Sequence, residues 1–320
     1  MITKRICFVL GAGASMDFGF PSGSKLLTQI CENLLSPERS GQPFWKQFGS
    51  TGREFAKELQ YSGKNSIDAF LESRSELITI GKMAIAGCLI PRENPDSIFN
   101  LQLKGNNWYD YLFEQMAAPL SKFGDNEVSF ITYNYDRSLE FYLETVLRKS
   151  YGASDIQITD IFKRIPIVHL HGTLGDLPFR RDRLARDFTP ILDDMSAHLA
   201  ANSIKIIHEN ISKEPQFKEA AKLLRNAEEL VFLGFGYHET NLKRLRLDKY
   251  VFADIRGTAY DMTQREINAI ANSFDERLIP ENTRILPFLR ETGIIAKERR
   301  KLYPQIIRSR ADIIANPLGF

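Results

Sequence analysis

Short runs of consecutive apolar residues alternate along the chain with longer stretches in which apolar positions recur three and four residues apart. Arg5 to Leu10 stops at Gly11, and Val128-Ser129-Phe130-Ile131-Thr132 stops at a Tyr-Asn-Tyr-Asp turn. Ile165 to Leu170 runs into His171-Gly172, and Leu230-Val231-Phe232-Leu233 stops at Gly234. Short runs that are apolar on both faces fit strands buried within a parallel sheet. Further strands are expected at Lys249 to Asp254 and at Arg284 to Phe288. Helical spacing predicts helices at 24–35, 53–60, 67–89 and 108–120, then from about Asp136 to Arg148, from about Ile191, and from Pro215 to Glu229.

Strands alternating with helices imply an α/β fold, a Rossmann-like parallel sheet covered by helices on both faces. The strand signal lapses between the first two apolar runs, so the chain divides into a sheet domain of residues 1–24 and 125–260 and a helical insertion of residues 25–124. Residues 261–320 form a mainly helical extension.

Composition narrows the classes of function. The 320 residues carry 42 basic and 40 acidic side chains, a formal net charge of +2, unlike a chain that coats nucleic acid. The short basic runs Arg180-Arg181 and Glu298-Arg299-Arg300-Lys301 read as solvated faces. No stretch is long and apolar enough for a membrane span, and the first residues lack the apolar core of a secretory signal, so a cytoplasmic protein is expected. Cys7, Cys31 and Cys88 stand far apart and make neither a C-x-x-C pair nor a zinc site, so they read as buried thiols and no metal is expected.

The glycine-rich turns carry the candidate chemistry. Gly11-Ala12-Gly13-Ala14-Ser15 lies between a strand and the next helix, where small residues let backbone amides approach a pyrophosphate. The third glycine of the usual dinucleotide fingerprint is missing, Met16 standing in its place, and the loop continues through Gly19-Phe20-Pro21-Ser22-Gly23. Ser22 or Ser24 is placed to cap the following helix. In Thr132-Tyr133-Asn134-Tyr135-Asp136, both Asn134 and Asp136 suit a helix cap as well as a ligand. His169 and His171 share one face of their strand, because side chains alternate with period two.

Taken in order, G-A-G-A-S with G-F-P-S-G, then N-Y-D, then H-G, resemble the three motifs of sirtuins, and more narrowly of the sirtuin-like NAD hydrolases of bacterial antiphage defence. The resemblance covers about residues 4–24 and 126–260. It implies that NAD is bound by Gly11, Ala12, Gly13, Ala14, Ser15, Pro21, Gly172, Gly234 and Gly236. It also implies that His171 is the base, that Asn134 positions water and ribose, and that Asp136 contacts the nicotinamide amide. Asn65-Ser66-Ile67-Asp68 resembles an insertion segment that approaches the cleft, which makes Asp68 a candidate for orienting a ribose hydroxyl or, alternatively, a first-turn acid. Gly257-Thr258-Ala259-Tyr260 is placed to close an adenine pocket, whereas His169 reads as a structural residue or a support behind the site and His238 as a surface or helix-capping residue.

Nicotinamide leaves a pyridinium as a neutral base, so its departure needs no acid. The task is to stabilise an oxocarbenium-like ribose and place a nucleophile. The chain departs from deacylating sirtuins in lacking their zinc ribbon, and the interval holding Arg180-Arg181-Asp182-Arg183 does not read as a peptide-pairing strand, so water is the expected acceptor. Other uses of the same cleft are an NAD-dependent deacylase, an ADP-ribosyltransferase, or a module that senses NAD or ADP-ribose without turnover. The family implies a homo-oligomer and a separate ATPase or translocase partner, with no direct nucleic acid binding.

Overall fold

A computed structural model describes residues 1–207, 214–274 and 276–295. Six parallel strands form one sheet: β1 (Ile6–Leu10), β2 (Val128–Thr132), β3 (Ile167–His169), β4 (Glu229–Leu233), β5 (Asp254–Thr258) and β6 (Leu278–Glu281), in the order β3-β2-β1-β4-β5-β6. This is the Rossmann-like α/β fold that the alternating pattern implies. Both faces of the sheet are covered. Ile6, Phe8 and Leu10 of β1 join one buried cluster and Cys7 and Val9 the other, so period-two alternation sends successive side chains into two cores.

The first core also contains the insertion. Between β1 and β2 run α1 (Gly23–Leu35), α2 (Gly49–Tyr61), α3 (Ile67–Ser73), α4 (Ile78–Leu89), α5 (Pro95–Ile98), α6 (Trp108–Met116) and α7 (Leu120–Phe123). Leu26, Phe55, Phe70, Ile85 and Trp108 from these helices pack in one cluster with Phe8 and Phe130 of the sheet, so the insertion shares the sheet's core. Then come α8 (Ser138–Tyr151), α9 (Asp155–Arg164), α10 (Asp194–Ser203), α11 (Pro215–Asn226) and α12 (Glu239–Leu245). Last are α13 (Gln264–Ser273) and α14 (Ile285–Thr292). The second core draws Phe217, Ala220 and Leu224 from α11 against Leu230 and Phe232 of β4.

Several boundaries move for local reasons. The helix expected over 67–89 is broken at Arg74, which pairs with Glu58 and Glu76 between α3 and α4. The strand expected at Lys249 to Asp254 is mostly a loop: Tyr250 and Phe252 pack on the second core while Val251 is exposed, and β5 begins only at Asp254. The strand expected at Arg284 to Phe288 is the start of α14. Ile285, Phe288 and Leu289 are buried at helical spacing, and Pro287 lies in the first turn, where an amide has no intrahelical acceptor. The true edge strand, β6, lies in the segment read as a C-terminal extension, so the sheet continues past residue 260. The basic run at 298–301 lies outside the described residues.

Three buried charged side chains join the insertion to the sheet. Arg137, directly before α8, donates from Nε to Glu93 Oε1 and from Nη2 to Glu93 Oε2, both at 2.8 Å. Its remaining hydrogens reach the carbonyls of Gly175, Asp176, Arg186 and Asp187. Arg186 also pairs with Glu93, while its Nε and Nη2 are buried with no acceptor among the described residues. Glu93 is fully buried and Arg137 is 1% exposed. The Glu93→Ala variant, which strands two guanidinium groups in the interior, should lose about 3–5 kcal/mol of stability in urea unfolding. Arg186→Met leaves the bidentate pair intact and should lose less than half as much.

Candidate active site

Strand register assembles the site. Leu10 lies opposite Thr132 on one side and Leu233 on the other, and Thr132 lies opposite His169. The residues that follow these four, Gly11, Tyr133-Asn134, Gly234 and Leu170-His171, therefore emerge together at the carboxyl ends of adjacent strands. The connection order reverses between β1 and β4, and open α/β sheets hold ligands at such a switch point.

The glycines there serve backbone-on-backbone contact. A Cβ on Gly11 would lie 2.5 Å from the Gly234 oxygen, and one on Gly13 2.8 Å from the Gly234 Cα. Gly234 has φ +58, and a Cβ on it would run into the Ala14 amide. The loop itself winds into two short 3₁₀ turns, Ala12–Ala14 and Met16–Phe18. Its amides are thereby committed: Gly11 N donates to Leu233 O, Gly13 N to Gly234 O, Ala14 N to Gly11 O and Ser15 N to Ala12 O. This corrects the expectation of a cradle in which these amides all point at a phosphate. From the other side Trp108 Nε1 donates to Ala14 O at 2.9 Å and Tyr109 stacks on Phe18, so α6 of the insertion props the loop. Half-buried Pro21 leads into α1, which Ser22 caps by accepting from Lys25 N. Gly236 is exposed beside the ring of His238, itself exposed at the N-cap of α12.

Asn134 is the most constrained polar residue of the crevice. Its amide donates to Thr132 Oγ1 at 3.0 Å, and its Nδ2 donates to Gly11 O at 2.9 Å and to Ser15 Oγ at 3.2 Å. A carbonyl only accepts, which fixes the side-chain amide with nitrogen toward Gly11 and leaves Oδ1 as its free acceptor among the described residues. Asp136 lies one residue before Arg137, the N-cap of α8, and its Oδ1 accepts from the amide and hydroxyl of Ser138 at the start of that helix. Burial pushes its carboxyl above the usual carboxylate range, against the Ser138 and Ser15 hydrogen bonds.

His171 is 4% exposed, between the rings of Tyr133 and Tyr135. Asp68 of α3 approaches it, Oδ1 lying 3.2 Å from Nδ1, off the line of a good hydrogen bond, and also accepts from the Tyr135 hydroxyl. Burial alone would raise the Asp68 carboxyl. The imidazole and the phenol outweigh it and hold the pKa below the usual range. Asp68 is the first-turn acid of α3 that the sequence allowed as an alternative to a ribose contact, and from there it meets the histidine. The mouth is spanned by α12, whose Arg244 pairs with Glu72 at 2.8 Å and whose Asn241 carbonyl accepts from Tyr133 at 2.7 Å. Gly172 has φ +70 and bridges antiparallel to Ile204, while Lys205 N donates to His171 O at 2.8 Å. Thr258 at the end of β5 accepts from Gly234 N through its hydroxyl, and exposed Tyr260 lies under the guanidinium of Arg284.

Sequence reasoning missed Glu93, Arg137, Arg186, Glu140 and Arg244, whose partners are remote in sequence; Arg137 and Glu93 are 44 residues apart. It also missed α9, although Ser154 and Gln157 spell its capping box. Among the described residues there is no cluster of three or more His, Cys, Asp or Glu side chains able to hold a metal, and no helix long and apolar enough to cross a membrane. The chain matches no protein-family model and no curated protein.

The glycine contact has a measurable consequence. Gly234→Ala should cost at least about 1–3 kcal/mol in urea unfolding, from positive φ and the blocked Ala14 amide. Gly23→Ala, at the first position of α1 with open space around its Cβ, should cost nothing.

Proposed function

We propose that the chain is a sirtuin-like NAD glycohydrolase, which cleaves the nicotinamide–ribose bond and releases nicotinamide and ADP-ribose. The observation that carries this reading is the convergence of His171, Asn134 and Asp68 beside the Gly11–Gly234 contact, at the switch point of a Rossmann-like sheet.

The chemistry follows from the groups present. With Asp68 beside Nδ1 of His171, Nε2 is the nitrogen that takes the proton of an attacking water, and Asp68 stabilises the imidazolium that results. The one uncommitted acceptor of Asn134, Oδ1, receives a hydrogen bond from that water or a ribose hydroxyl. Because Nδ2 is held by Gly11 and Ser15, the orientation is set before substrate arrives. Nicotinamide departs as a neutral base, so no acid is required of the buried Asp136. The diphosphate belongs over the loop around Ser15 and the N-terminus of α1, where Ser24 and Gly23 are exposed.

Water is the acceptor this arrangement favours. Lys205 N donates to His171 O and Thr173 N donates to Ser203 O, so the backbone beside the base is already paired with the chain's own segment and offers these groups to no added peptide strand. NAD depletion in antiphage defence, a homo-oligomer and a separate ATPase or translocase partner complete the proposal.

Chromatography of NAD incubated with the purified chain, alone and with the protein encoded beside it, tests the reading. His171→Ala and Asn134→Ala should each reduce nicotinamide release at least ~100-fold. Asp68→Asn should lower it by a similar factor with little change in KM. Unchanged release in both alanine variants sinks the mechanism, and an ADP-ribosylated or deacylated product on mass spectrometry moves the reading to a transferase.

A further inference from the structure

His169 and Glu140 form a buried pair immediately behind the crevice, and neither has a part in the cleavage described above. Glu140 stands in the first turn of α8 and His169 ends β3, both nearly inaccessible, with side chains 8% and 7% exposed. His169 Nδ1 lies 2.8 Å from the main-chain oxygen of Asn134, and Nε2 lies 2.6 Å from Glu140 Oε1. A carbonyl oxygen accepts and never donates, so Nδ1 carries a hydrogen. A carboxylate likewise accepts, so Nε2 carries one too, and the ring is an imidazolium balanced by one buried anion.

The pair completes the restraint of Asn134. Thr132 takes the residue's N–H, Gly11 and Ser15 take its side-chain NH₂, and His169 takes its C=O, so its side-chain Oδ1 is the only polar atom without a partner among the described residues. We propose that His169, held by Glu140, is the positioning residue that aims the Asn134 acceptor into the crevice. The proposal rests on the NAD-cleaving reading for its kinetics and is independent of it for the protonation of His169.

The charged groups facing the pair are Glu140 from α8, Asp136 from the turn between β2 and α8, and Asp176 with its partner Arg180 from the loop after β3. Burial opposes the charged form of each partner. The attraction between them outweighs it, holding the His169 pKa above and the Glu140 pKa below its ordinary value. The depressed carboxylate contributes stability above its unfolded value near 4.5, which is lost as pH falls through the folded value. The raised imidazole contributes stability below its unfolded value near 6.5, which is lost as pH rises through the folded value. The difference in stability between the native chain and Glu140→Gln should therefore be largest between those two values and shrink on either side.

Three variants of the full chain test the proposal. Glu140→Gln keeps the shape and lets a neutral His169 retain its Nδ1–H bond to Asn134, so kcat and KM for nicotinamide release should stay within about threefold of the native values. His169→Phe releases the Asn134 carbonyl and should lower kcat about 100-fold with KM nearly unchanged, the effect of displacing a positioned group by an ångström or so, and Glu140→Leu, in which a neutral His169 keeps its Nδ1–H but loses the partner that holds its ring, should fall between the other two. In ¹⁵N spectra of histidine-labelled native protein at neutral pH, His169 should show both ring nitrogens protonated, and in Glu140→Gln only Nδ1. Should the native chain release no nicotinamide either alone or with the protein encoded beside it, the proposed activity fails. The pair is then judged by the side-chain amide signals of Asn134, which should shift in His169→Phe and hold in Glu140→Gln. A His169→Phe variant with native kcat and unmoved Asn134 signals overturns the proposal, as does a His169 ring protonated at Nε2 alone.

Discussion

The arrangement depends on one buried carboxylate. Glu93 comes from the helical insertion, Arg137 directly follows Asp136, and Arg186 closes a loop that begins beyond His171, so the cluster ties three distant stretches of chain together at the base of the site. Taking these charges out of water costs several kcal/mol per ion, and only dense hydrogen bonding makes that tolerable. Arg137 meets the requirement with two bonds to Glu93 and four carbonyls. With Arg137 fixed, the preceding residues Asn134 to Asp136 have little freedom, and the fixed turn supports the crevice.

The insertion is therefore more than a decoration on a Rossmann-like sheet. Its α3 brings Asp68 to His171, its α6 props Ala14 through Trp108, and its Glu93 anchors the turn after β2. The packing agrees, because helices of the insertion and one face of the sheet share a single apolar cluster. Opposite them, α12 reaches over Tyr133 and pairs with Glu72, so insertion and sheet meet on both sides of the crevice. A cavity of about 160 Å³ lies at the other end of the strands, lined by Arg5, Asn126, Ser129 and Arg164, away from these groups.

Two expectations about the site were reshaped by hydrogen-bond accounting. A glycine-rich loop after the first strand suggests amides free to hold phosphate, yet here the amides of Gly11, Gly13, Ala14 and Ser15 close 3₁₀ turns and grip the end of β4. The glycines are required because two backbones touch. Asn134 was expected to position water and ribose, and its side-chain donor is already committed to Gly11 and Ser15. Each polar group in a crowded strand end has a limited number of partners, and that number decides which of them face the crevice.

The sequence by itself determined the sheet class, the strands β1, β2 and β4 to within a residue, the helical nature of the insertion, and the strand ends that bear Gly11, Asn134, His171 and Gly234. These are legible because apolar periodicity and turn chemistry are local, repeating every two or 3.6 residues. It misplaced β5 and overlooked β6, since short strands toward the sheet's edge with Arg256 or Pro280 carry little apolar signal and the stronger run at Tyr250 to Phe252 belongs to a packed loop. The tertiary structure alone decided that Asp68 meets His171, that Glu140 pairs with His169, and that Glu93 holds Arg137. Such pairs join residues 29 or more positions apart, and nothing in local spacing encodes which buried charge will find which partner. That choice is made when the core closes and every buried polar group must find a bond.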